Sequence, residues 1–138
     1  TPQLSSTQVS PIRMAITILV QHPELQKNVP AFDRIHALEL AGIKILVNML
    51  ETLTENPHLN TAALLERARD SRHESHLQQL ARQNLAFKAE QLQAELNGII
   101  QQLQQQAIEK RLADLVAKNF RYLTDEERIE IQQLNLKL

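Results

Sequence analysis

Cysteine and tryptophan are absent from the 138 residues, glycine occurs twice, proline five times, and the aromatics are three Phe and one Tyr. Without cysteine the chain can build neither a disulfide framework nor a thiolate metal site, and it suits a reducing compartment. So few glycines leave no glycine-rich phosphate loop, and no nucleophile or paired-carboxylate motif takes its place. A basic excess is also missing. Fifteen Lys and Arg against sixteen Asp and Glu give a net charge of −1, so sequence-specific duplex binding, which needs phosphate neutralisation, is not expected. The most apolar early run, Met14 to Val20, is far shorter than a bilayer span and includes Thr17. Neither a membrane helix nor a signal peptide is expected from it.

What is present is Leu, Ile, Ala, Gln and Glu, the composition of packed helices. The length suits one domain with an appended helical subdomain. The expected architecture is all-α: a linker at residues 1–10, a helical bundle at 11–90, then a long helix and C-terminal helical hairpin at 91–138. The polar opening TPQLSSTQVS has no helical period and suggests a join to a longer protein. Ser10 offers an N-cap and Pro11 a first helical position, followed by Ile12, Ile16, Leu19 and Val20 on one side. Pro23 should end this helix near His22. Glu24 to Asn28 can add a turn or two, and Phe32, Ile35 and Leu38 anchor a compact connection. Ile43, Leu46, Val47, Leu50 and Leu53 have the spacing of a buried stripe closed by Asn56-Pro57. Asn60 or Thr61 can cap a short helix burying Leu64 and Leu65, and Glu74 to Arg82 carries Leu77 and Leu80.

From about Leu85 to Asn119 no proline intervenes. Leu92, Leu96, Ile99, Leu103, Ala107, Leu112, Leu115 and Val116 recur at three- and four-residue steps, predicting a projecting helix on the order of 50 Å long. Asn97-Gly98 is its expected bend or break, because glycine in a helix interior costs ~1 kcal/mol relative to alanine. Asn119 to Leu123 reads as a turn. Thr124-Asp125-Glu126-Glu127 then has the pattern of a capping box, with acids at the helix start. In the last helix Ile129 and Leu136 lie two turns apart while Ile131, Leu134 and Leu138 form a second stripe. A two-helix hairpin can bury only one of them, and the surplus face suits a protein partner.

Metal chemistry has one thin candidate, His73 and His76, three apart on a helix start with no third ligand nearby; an exposed polar helix start is the better reading. Arg67, Arg69 and Arg72, broken by Asp70, read as a solvated face before a phosphate or acidic-peptide contact. Gln101 to Gln106 keeps the helical period through Leu103 and reads as solvated helix surface. His22, His36 and His58 lie beside turn residues.

Ile12-Arg13-Met14-Ala15-Ile16, then Leu19-Val20-Gln21-His22-Pro23-Glu24-Leu25 and Val29-Pro30, resemble the start of the helicase-binding domain of bacterial DnaG-type primases. Leu46-Val47-Asn48, Thr61 with Leu64-Leu65-Glu66, and Leu123-Thr124-Asp125-Glu126-Glu127-Arg128 continuing to Leu134-Asn135 extend the likeness in order over residues 11–138. The resemblance implies a bundle that stimulates the hexameric DnaB-type helicase and a hairpin that docks on that helicase's N-terminal domain, in the cytoplasm at the replication fork. It implies helicase contacts at Leu115, Tyr122, Glu127, Arg128, Ile131, Leu134, Asn135 and Leu136. It further implies a site for the acidic tail of single-stranded DNA-binding protein at Ile12, Arg13, Ile16 and Leu80, where neutral Gln8 and Gln79 stand in place of a lysine. Primer synthesis, with its zinc and magnesium, would lie in other domains of the parent primase, so this domain is expected to hold no cofactor and to catalyse nothing itself.

Two other readings compete. Surplus apolar stripes can mediate self-association rather than leave a monomer, and the helicase's own N-terminal domain has a similar helical fold in the family. A helicase would continue into an ATPase domain beyond Leu138, which favours the primase reading. A small hydrolase or metal enzyme using His73 and His76 is the least supported.

Overall fold

The computed structural model describes residues 10–118 and 122–138. The expected linker, apart from Ser10, lies outside the described residues, as do positions 119–121 of the expected turn. Every regular element among the described residues is helical.

Helix α1 (Pro11–Gln21) is the axis of the bundle. The Ser10 side chain accepts from the Arg13 amide at 3.2 Å, and Pro11 occupies the first turn, where its missing N–H costs nothing. Ala15 through Val20 are all buried. Six consecutive positions cover the whole circumference of a helix, so from Ala15 onward α1 is enclosed on every side. Thr17, its buried polar residue, donates its hydroxyl to the Arg13 carbonyl at 2.8 Å and so leaves no unpaired donor. Pro23 then starts a 3-10 segment over Pro23–Asn28, as expected, and a second 3-10 turn spans Ile35–Ala37.

Helices α2 (Ile43–Glu55), α3 (Thr61–Arg67) and α4 (Glu74–Ala81) surround α1. Asn60 is the cap of α3, accepting from the Ala63 amide at 2.8 Å, while Thr61 donates to the Val20 carbonyl at 2.7 Å. The Gln21 amide donates to the carbonyls of Leu80 at 2.9 Å and Gln83 at 2.6 Å. Thr61 thereby supplies a donor at the end of α1, and Gln21 ties that end to the end of α4.

Helix α5 (Ala89–Ala117) runs unbroken through Gly98, which corrects the expected bend or break there. Its neighbours hold it: Leu96, Ile99 and Ile100 are buried in the bundle core. On the adjacent edge Gln93 donates to the Leu25 carbonyl and Asn97 to the Asn28 carbonyl, both at 3.1 Å. Packing on both sides of Gly98, with the bonds just before it, outweighs its ~1 kcal/mol propensity cost.

The buried side chains form two clusters. The larger includes Leu92, Leu96, Ile99, Ile100, Leu103 and Ala107 of α5; the smaller consists of Ile108, Leu112, Leu115, Leu123 and Leu134. Packing thus divides between Ala107 and Ile108, later than residue 90, and α5 belongs to both units. At 3.6 residues per turn, Ile108, Leu112 and Leu115 point roughly a third of a turn away from the Leu92–Ala107 face. The apolar row is therefore two stripes of different direction, one for the bundle and one for the last helix, α6 (Asp125–Lys137). Val116 falls outside both and is 69% exposed.

Candidate docking surface on the C-terminal hairpin

The corner of the hairpin is built by Thr124 and Glu127. The Thr124 hydroxyl accepts from the Glu127 amide and the Glu127 carboxylate from the Thr124 amide, each at 3.0 Å. The second Glu127 oxygen meets Lys118 Nζ at 2.7 Å, closing the end of α5 onto the start of α6. Lys118 first, and then the Thr124 amide, hold the Glu127 carboxyl below the ordinary glutamate range. Asp125 and Glu126 complete an acidic first turn that complements the helix dipole.

Leu134 fills the interior of the hairpin beside Ile108, Leu112, Leu115 and Leu123, with Ile131 packed against the cluster. Leu115 is fully buried and Leu134 only 1% exposed. Both were expected among the partner contacts. Their apolar surface is used within the hairpin itself, so neither offers a face to a partner, and Ile131 offers only a part of one. Opposite them lie Ile129, 53% exposed, and Leu136, 87% exposed, seven residues apart and so on one line along α6. Tyr122 beside the corner is 72% exposed, and Asn135 is exposed on the same helix. Arg128 is half-buried near Asp125, at 3.8 Å.

Sequence reasoning missed Glu130. Its carboxylate takes two bonds from Arg111 of α5, both at 2.9 Å, and one from Arg34 at 3.1 Å. Arg34 stands in left-handed backbone geometry, φ 56°, just before the second 3-10 turn. The same loop is fixed to α5 by Gln104, whose side chain accepts from the Asp33 amide at 2.8 Å and donates to the Asp33 carboxylate. A single carboxylate therefore joins bundle loop, long helix and last helix. Arg111, chiefly through its hydrogen bonds, keeps the Glu130 carboxyl below its ordinary range, and Glu130 in turn raises the Arg111 guanidinium. No local pattern announces the site, since its partners lie 19 and 96 residues away.

The second expected surface fares differently. Ile12, Ile16 and Leu80 are buried, and Ile12 and Ile16 face Gly42. Only Arg13 of the four is exposed, because the other three side chains lie in the bundle core. Gln79 is exposed beside Leu80, and Gln8 lies outside the described residues. Among the described residues no group of three or more His, Asp or Glu is arranged to hold a metal. The expected basic cluster is dispersed: Arg69 pairs with Glu66 at 3.2 Å, whereas Arg67 faces a cleft with Lys44.

The chain matches the family model for the DnaB-binding region of DnaG DNA primase over residues 12–134. It is similar to the DNA primase of Buchnera aphidicola subsp. Acyrthosiphon pisum, with 32% identity over 130 positions, 94% of this chain and 22% of that primase. To the DNA primase of Escherichia coli (strain K12) it is 32% identical over 142 aligned positions, covering 99% of this chain and 23% of that primase. The chain thus spans less than a quarter of the curated relatives it matches. Among solved structures, the C-terminal domain of DnaG primase from Vibrio cholerae superposes with a TM-score of 0.80 at 30% identity, over 93% of this chain and 98% of that one. An all-helical bundle that carries a Thr124-capped hairpin, matched over nearly its whole length, belongs to the DnaB-binding domain family of DnaG-type DNA primases.

Proposed function

We propose that the hairpin docks on the N-terminal domain of the hexameric replicative helicase through the outer face of α6, so that the parent primase is recruited to the point of unwinding. The observation that carries this reading is the exposed Ile129–Leu136 line on a helix whose opposite side is already filled by Leu134 and Ile131. Tyr122 and Asn135 extend the face, while Glu127, Arg128 and Glu130 set its orientation. Full burial of one such aliphatic side chain is worth about 1.5–3 kcal/mol, and 1.4 kcal/mol is tenfold in affinity. Replacing both Ile129 and Leu136 by Ser should therefore weaken co-migration with the helicase at moderate salt by at least about tenfold, with the chain still folded. Unchanged affinity would remove the hairpin from the interface. Sedimentation of the isolated chain addresses self-association: a monomer accords with the docking reading, and a dimer lost on the same substitutions would replace it.

The bundle would modulate the helicase once the hairpin holds it in place. Contact with the acidic tail of single-stranded DNA-binding protein rests on Arg13 alone among the expected exposed contacts, and Arg13→Ala should abolish it. A cytoplasmic replisome is the setting this role requires. Zinc and magnesium would serve other domains of the parent primase, and primer synthesis belongs to them.

A further inference from the structure

A cleft of about 550 Å³ opens where α2 faces α3 and the turn into α4, away from the hairpin and from Arg13. Its floor is apolar, formed by Val20, Met49, Leu64 and Leu77, each of which is buried. Its rim carries Lys44 and Arg67, with Asn48 and His73 between them in the lining. No carboxylate lines the cleft. Lys44 and Arg67 are exposed and, among the described residues, take part in no ion pair or side-chain hydrogen bond. Arg34, Arg69, Arg111 and Lys118 meet carboxylates, whereas Arg13 and Lys27, like Lys44 and Arg67, make no ion pair among the described residues; what sets Lys44 and Arg67 apart is that both line one acid-free cleft. The Asn48 side chain accepts from the Thr52 hydroxyl at 3.3 Å, which leaves its amide N–H groups available to a ligand.

We infer that this cleft binds a short acidic peptide segment of a partner protein, one that sets an aliphatic side chain on the Val20–Leu77 floor and its carboxylates on Lys44 and Arg67. The volume lies within the range of small ligand sites, and apolar lining with a few convergent polar groups is their usual character. Cations with nothing to neutralise them beside an acid-free apolar floor complement a ligand that is apolar and anionic together. The lining argues against nucleic acid: it contains no Phe, Tyr or Trp, and the single imidazole of His73 offers no run of stacking faces for successive bases. Asn48 supplies the donor that an extended peptide's carbonyl requires.

The test is fluorescence anisotropy with a labelled peptide of sequence Glu-Glu-Leu-Glu-Leu, read beside two controls, one with Gln for each Glu and one with Ser for each Leu. Saturable binding should weaken about tenfold or more with either control and with Lys44→Gln/Arg67→Gln. Amide shifts in the 138-residue chain on adding peptide should gather at Asn48, Thr52 and Ser71. Both substituted side chains are exposed, so the variant should fold; its own amide spectrum reports whether it does, and Arg67→Lys, which keeps the charge, should retain most of the affinity. Four results would overturn the proposal: no saturation up to about 1 mM, equal binding by the variant, shifts confined to Arg13 and its neighbours, or competition by inorganic phosphate or oligothymidylate at concentrations below those of the peptide.

Discussion

Gly42 and Gly98 are the two glycines of the chain, and they stand in opposite circumstances. Gly42 has φ +83°, the left-handed region, and a Cβ there would lie 3.2 Å from the Ile12 side chain. Gly98 lies inside α5 in ordinary helical geometry, and a Cβ would meet nothing within 4 Å. Gly98→Ala should therefore raise stability by about 0.8–1 kcal/mol. Gly42→Ala should lower it by about 1 kcal/mol or more through backbone strain and crowding. Urea unfolding of both variants checks the pair: an upward midpoint shift for the first, a downward shift for the second. A glycine's cost in a helix can be read from the sequence, which is why Gly98 stood out as a break point. The bonds from Gln93 and Asn97 that brace α5 involve carbonyls about 70 residues away, beyond the reach of any local pattern.

At the scale of elements, the hairpin hangs on Glu130. Its carboxyl and that of Glu127 titrate below the ordinary glutamate range. A carboxyl depressed in the folded state binds fewer protons than in the unfolded chain. Its contribution is complete above the unfolded value of about 4.3 and disappears as pH falls from there through the folded value. Stability should accordingly fall on acidification below about pH 5. Glu130→Gln should flatten that fall and cost on the order of 1 kcal/mol at neutral pH, because the bidentate Arg111 pairing is lost while its partners remain partly solvated. Thermal melts from pH 7 to 3 on both proteins decide it, and parallel pH profiles would show that Glu130 contributes nothing. The capping box was legible as Thr124 and Glu127 three residues apart. The inward choice of Leu134 over Leu136 was not, since each stripe of α6 carries aliphatic side chains able to pack on α5. Leu112 and Leu115 on α5 select one of them.

For the whole molecule, the division of buried side chains between Ala107 and Ile108 has a mechanical consequence. The bundle core draws on α1 to α4 and the first two-thirds of α5, and contains no residue of α6. A chain lacking residues 121–138 should keep its helical bundle and cooperative unfolding, with amide protection unchanged around Leu19 and Leu46, yet lose helicase co-migration. Protection lost throughout would show that the hairpin supports the bundle rather than riding on it. Helical class, the caps at Ser10, Asn60 and Thr124, the stop at Pro23 and the existence of a surplus apolar stripe are set within a turn or two of chain, so the sequence by itself determined them. Tertiary packing alone decided three further matters: which stripe of α6 faces out, how Glu130 comes between Arg34 and Arg111, and that Lys44 and Arg67 share a cleft. Each joins side chains from elements far apart in sequence, and only the order in which apolar faces are buried brings them together.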